Sequence, residues 1–137
     1  MSLDQQITEF LSSDKFAVVG ASSNRKKYGN RVFRVFLQKE YSAFPVNPNA
    51  TEVEGHPAFA ELSQLPETPL SISIITPPSV TERVVEQAIS LGIRHVWMQP
   101  GAESATAIQL CEDAGINLIH SGPCILVVLG FRDSGTS

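Results

Sequence analysis

Five short runs of β-forming apolar residues alternate with longer stretches of helical periodicity, and this alternation constrains the fold more than any other feature of the chain. Residues 16–19 (Phe-Ala-Val-Val) end in Gly20 and suit a buried strand. Residues 43–46, 70–76, 94–98 and 116–119 predict four more strands. A short helix is expected at 4–11, with Ile7, Phe10 and Leu11 on one face. Longer helices are expected at 29–39, 79–91 and 103–114. In the first, Val32, Phe33, Phe36 and Leu37 recur at helical spacing and leave Arg31, Arg34 and Lys39 to other faces. In the second, Val80, Val84, Val85, Ala88 and Ile89 line one face, and Gly92 follows as a stop, as Gly115 does for the third. Residues 59–64 have room for a turn or two of helix, and 125–129 form a last apolar run, strand or helix.

Strand–helix–strand units joined by right-handed crossovers give a parallel sheet. Continuous apolar strands such as 16–19 and 72–75 fit a sheet covered on both sides. The expected architecture is α/β: a doubly wound, Rossmann-like parallel sheet of about five strands with helices on both faces. No repeat, low-complexity tract or linker interrupts the pattern, so 1–137 is expected to be one domain, large enough to bury a core without staples. Two cysteines exclude a disulfide scaffold and a four-cysteine zinc site.

The first 13 residues carry Asp4 and Glu9 and no apolar run of signal-peptide length, and nothing approaches the roughly 18–20 apolar residues of a membrane span. The expectation is a cytoplasmic protein with reduced thiols and no membrane partner. A net charge of −4 argues against general nucleic-acid binding. Yet five of the ten basic residues (Arg25, Lys26, Lys27, Arg31 and Arg34) fall within ten positions. Such a cluster on an acidic chain suggests a small anionic ligand; the alternative is a solvated helix start.

In open α/β sheets ligands bind beyond the carboxyl ends of the strands, where four segments should converge. The first runs Gly20, Ala21, Ser22, Ser23, Asn24, Arg25, Lys26, Lys27, Tyr28, Gly29. A glycine ends the strand and a second opens a helix whose free N–H groups favour phosphate. Ser22 and Ser23 add hydroxyls and Arg25, Lys26 or Lys27 add charge, although Ser22 stands where G-x-G-x-x-G would have its second glycine. The second segment, Pro45, Val46, Asn47, Pro48, is a stiff turn, either a wall for an adenine or simply a rigid loop. An NAD site would place an acid at this strand end, and Asn47 occupies that place. The third, Thr76, Pro77, Pro78, Ser79, Val80, fixes the backbone between strand and helix and offers flat apolar surface, or merely starts the helix. In the fourth, residues 97–102, Trp97 packs under the sheet end and Gln99 bonds a ligand or a loop.

Together these segments resemble the small stand-alone CoA-binding proteins of the succinyl-CoA synthetase-like Rossmann family. The residues that carry the resemblance are Val18-Val-Gly-Ala-Ser22 with Gly29, Pro45-Val-Asn-Pro48 with Gly55, Pro77-Pro78, Trp97-Met-Gln-Pro-Gly101, and the stretch from Gly115-Ile116 to Cys124. The resemblance implies coenzyme A or an acyl-CoA bound across the C-terminal edge of the sheet. Gly20, Ser22, Ser23, Asn24 and Arg25 would then hold phosphates, Asn47 and Pro48 would flank the nucleotide, and Thr76, Pro77 and Pro78 would lie along the ligand.

No catalytic constellation stands out. His95 falls inside a strand and Cys111 on an apolar helix side, both packing positions; His56 lies in a loop; Glu103 is explained by a helix start. A thiol at Cys124 could exchange disulfides with CoA. No metal-ligand spacing or Ser–His–Asp logic is present. The leading expectation is a non-catalytic CoA-binding module, a sensor or a partner subunit, with a homo-oligomer or partner chain possible. An NAD(P)-binding oxidoreductase and a ligand-free interaction domain are the alternatives.

Overall fold

The computed structural model describes residues 1–133; the last four positions of the expected domain lie outside the described residues. The chain runs α1 (Leu3–Leu11), β1 (Lys15–Val19), α2 (Tyr28–Gln38), β2 (Ser42–Val46), β3 (Glu52–Val53), β4 (His56–Pro57), a 3-10 turn (Leu62–Gln64), β5 (Ser71–Ile74), α3 (Pro78–Ser90), β6 (His95–Met98), α4 (Ala105–Asp113), β7 (Asn117–Ile119) and α5 (Ile125–Leu129). The main sheet is five-stranded and parallel, in the order β2-β1-β5-β6-β7. This is the doubly wound α/β fold that the alternation predicts, and the strand order reverses where β1 lies between β2 and β5.

The period of two along β1 divides the core. Phe16 and Val18 belong to an aromatic layer with Phe10 of α1, Val32, Phe33 and Phe36 of α2, and Ile125 of α5. Ala17 and Val19 belong to an aliphatic layer with Ile72, Ile74, Val96 and Met98 beneath α3 and α4. In the aromatic layer the Phe16 ring lies 5.0 Å from Phe36, and Phe10 meets Trp97 edge-on at 5.3 Å. Each such side chain, fully buried, contributes about 1.5–3 kcal/mol relative to exposure. Two buried serines of β5 have partners: Ser71 Oγ donates to Phe10 O (2.8 Å), and Ser73 Oγ accepts from Gln99 Nε2 (3.1 Å). Pro45, which has no N–H to donate, sits in β2, an edge strand.

Two local expectations change, and two features are added or resolved. The short helix expected at 59–64 shrinks to the turn Leu62–Gln64, because Phe59 pairs with β2: Asn47 N–H donates to Phe59 O (2.8 Å) and Phe59 N–H to Pro45 O (3.0 Å). A few helical residues cannot repay their own nucleation, so the strand contact wins. The β3–β4 hairpin was invisible in the sequence pattern, being two residues per strand. Helix α4 starts at Ala105 rather than Glu103, because Ser104 Oγ accepts from Ala107 N–H and caps it. The ambiguous run 125–129 is a helix, ended by Gly130 at φ +71°.

Candidate functional site

At the reversal of strand order, beyond the C-terminal ends of β2, β1 and β5, lies a cleft of about 700 Å³. That volume is typical of a small-molecule site. Two glycines shape it. Gly20 ends β1 at φ +98°, and a Cβ there would stand 2.9 Å from Ile75 O. Gly29, in the first turn of α2, packs so closely on the strand end that a Cβ would meet Gly20 O at 2.0 Å. Only glycine lets the helix start this near β1.

The loop between them is held by its own side chains. Ser22 Oγ accepts from Asn24 N–H (3.0 Å), and Asn24 Oδ1 accepts from Lys26 N–H (3.0 Å). Buried Asn30 donates through Nδ2 to Ser22 O (2.8 Å) and to Glu54 Oε2 (3.1 Å). Its Oδ1 accepts from Arg34 Nε (2.7 Å). Arg34, only 5% exposed, also pairs with Asp133 (2.8 Å) and donates to Arg25 O (3.3 Å). Asn47 braces the loop from β2: Nδ2 donates to Ala21 O (2.7 Å) while Oδ1 accepts from Asn49 N–H (2.8 Å).

Two helix N-termini open onto the cleft, those of α2 and α3, and neither N-cap residue, Lys27 or Pro77, makes a side-chain capping bond. By contrast, α1 and α4 are capped by Ser2 and Ser104. At α2 the uncapped first turn and the helix dipole both favour an anion; at α3 the dipole alone contributes, because Pro78 has no N–H and Val80 N–H donates to Pro77 O (2.9 Å). Tyr28 forms part of the wall; its hydroxyl donates to Gln99 Oε1 (3.2 Å) and lies 2.7 Å from Cys124 Sγ. Burial, and then the Cys124 contact, push the Tyr28 phenol above its ordinary pKa, against an opposing pull from Arg31, so it stays protonated.

Of the sequence candidates, Gly20, Ser22, Tyr28, Gly29, Val46, Asn47, Pro48, Thr76, Pro77 and Val80 border this cleft. Ala21 is buried beneath the loop, and Pro78 is the exposed first residue of α3. Ser23, Asn24, Arg25 and Lys26 are exposed on the loop and are not part of the cleft wall. Arg25 lies beside Glu54, with Nε 3.4 Å from Oε2. Lys27 is the basic loop residue on the wall. Sequence reasoning missed Arg83 and Gln87, which line the cleft from α3, and the segment Ala60–Gln64 that faces them. The spacing Val80, Arg83, Val84, Gln87 follows one helix face and could have found them.

Trp97 and Gln99 serve the structure. Trp97 is fully buried and donates from Nε1 to Pro123 O (2.9 Å); Gln99 Oε1 also accepts from Ile125 N–H (3.0 Å). His95 Nδ1 contacts Asn117 Nδ2 (3.1 Å), and Cys111 is fully buried in the aliphatic layer. Among the described residues no helix is long and apolar enough to cross a membrane.

Known proteins resemble this chain in sequence and in fold. The ADP-forming acetate–CoA ligase I of Archaeoglobus fulgidus is 23% identical over 113 residues, covering 75% of this chain and 16% of the ligase. The alpha subunit of the ADP-forming acetate–CoA ligase II of Pyrococcus furiosus is 33% identical over 81 residues, covering 56% of this chain and 17% of the subunit. The chain thus spans about a sixth of the length of these curated relatives. A conserved hypothetical protein of Pyrococcus furiosus with a solved structure is 38% identical and superposes with a TM-score of 0.78, over 83% of this chain and 97% of that one. A family model described as a CoA binding domain matches residues 14–130, and the chain belongs to that CoA-binding domain family.

Proposed function

We propose that the protein binds coenzyme A or a short acyl-CoA in the cleft between α2 and α3, as a binding module without chemistry of its own. The observation that carries this reading is the convergence of two uncapped helix N-termini, with Lys27 and Arg83 on the walls, at the strand-order reversal. The α2 N-terminus, Ser22 and Lys27 would hold phosphate, and Asn47 and Pro48 would flank the nucleotide. Thr76 and Pro77 would lie along the rest of the ligand. Asn47 argues against NAD: an ordinary NAD site places a ribose-binding acid there, and this side chain is committed to Ala21 and Asn49. The ligase relatives suggest that such a module works beside other domains or a partner chain.

Thermal unfolding with CoA, acetyl-CoA, NAD, NADP and ADP at matched concentrations tests the reading. A ligand at about 100 times its Kd adds roughly 2.7 kcal/mol to the stability of the folded state. A raised midpoint with CoA or acetyl-CoA, and none with NAD, is expected. A rise with NAD or NADP alone would replace this reading with a redox one. No rise with any of the five would leave an interaction domain.

A further inference from the structure

The cationic side chains of the cleft are divided between its walls. Its lining includes two cationic side chains, Lys27 at the start of α2 and Arg83 on α3, together with one carboxylate, Glu61. Among the described residues Arg83 makes no ion pair, although its helix carries Glu82 and Glu86 as sequence neighbours. It is exposed, at the position where helical spacing from Val80 brings a side chain to the cleft. Five residues separate Arg83 from Pro78 at the start of α3, about 7.5 Å along the axis at 1.5 Å per residue. The Arg83 Cα thus lies about a turn and a half beyond the start of α3, where its unpaired guanidinium is available to a second anionic group of the ligand. A guanidinium fork matches the oxygens of a phosphate monoester, and Gln87, one turn further along, offers an amide to the same place.

Coenzyme A carries such a second group, the phosphate on its 3′-ribose oxygen. ADP and 3′-dephospho-CoA share its pyrophosphate and lack it. Resting on the CoA reading above, we infer that Arg83 is the specificity-determining residue that reads the 3′-phosphate, so that the cleft distinguishes coenzyme A from its dephosphorylated form. Lys27 and the α2 N-terminus would serve both forms alike.

Isothermal titration of the full chain with CoA and with 3′-dephospho-CoA, for the wild type, Arg83→Gln and Lys27→Gln, tests the inference. The wild type should bind CoA at least tenfold more tightly than dephospho-CoA. Arg83→Gln should bring the CoA affinity down to the dephospho-CoA value and change the latter less than twofold. Lys27→Gln should weaken both ligands by similar factors. Both replaced side chains are exposed, so unfolding midpoints within about 2 °C of the wild type should show that the variants fold. Equal wild-type affinity for the two ligands, an unchanged CoA affinity in Arg83→Gln, or an equal loss for both ligands in that variant would overturn the assignment and leave CoA binding standing. A wild type that binds neither ligand would remove the CoA reading itself, and this inference with it.

Discussion

Replacing Gly29 by alanine should separate α2 from the end of β1. The added Cβ would stand 2.0 Å from Gly20 O and 3.1 Å from Gly20 C. A carbon normally lies roughly 3.3–3.6 Å from a carbonyl oxygen, so the helix start must retreat by about 1.3 Å. The obstacle is backbone on a strand end, and no flexible side chain can move aside. The helix is anchored by Val32, Phe33, Val35 and Phe36, all fully buried, so a retreat also loosens the aromatic layer. Forced overpacking of this kind costs about 1–3 kcal/mol. Alanine's better helix propensity returns less than about 1 kcal/mol, which leaves a net loss of about 1–2 kcal/mol. For a chain of this size that is about 3–10 °C in Tm. The first-turn N–H groups of α2 move with the helix, so CoA affinity should fall more than tenfold. Gly92→Ala is the control: its φ is +76°, nothing lies within 4 Å of the added carbon, and it is remote from the cleft. It should cost about 1–2 kcal/mol of backbone strain and leave CoA affinity unchanged. Calorimetric unfolding and titration read both variants. A Gly29→Ala protein that melts within 2 °C of the wild type and binds CoA normally would refute the reasoning.

The buried loop anchor gives a second expectation: Asn30→Ala removes the acceptor of Arg34 Nε and the donor to Ser22 O, and should lower stability by about 2–3 kcal/mol. Urea unfolding checks it, and a loss below about 0.5 kcal/mol would mean the network does not hold the loop. At alkaline pH, burial pushes the Cys111 thiol from 9.0 to about 11. The unfolded chain then releases this proton first, so stability is fully present below pH 9 and lost between pH 9 and 11, by as much as about 3 kcal/mol from this group. Cys111→Ala should flatten that limb of the pH–stability curve; an identical slope in the variant would rule the thiol out as its source.

Much of the fold was legible in the sequence because the two periodicities are local. The continuous apolar run at 16–19 and the helical spacing in 79–91 survive into β1 and α3, and Gly20 and Gly29 fall where the turn and the close approach need them. The four loop segments could be named because a parallel sheet gathers the carboxyl ends of its strands on one edge. Family membership followed from the same segments.

Tertiary structure decided which side chains of those segments meet. The basic run Arg25–Lys27 looks uniform as sequence, yet Arg25 lies beside Glu54 on the β3–β4 hairpin while Lys27 borders the cleft. The contacts that set this difference, Asn30 with Glu54 and Arg34 with Asp133, span 24 and 99 positions. The opposite wall depends equally on distant pairing: Phe59 joins β2 and carries the segment Ala60–Gln64 over to face Arg83 and Gln87. Periodicity records which face of an element is apolar. The direction of a loop side chain is set by partners far along the chain, and that information appears only once the sheet has brought them together.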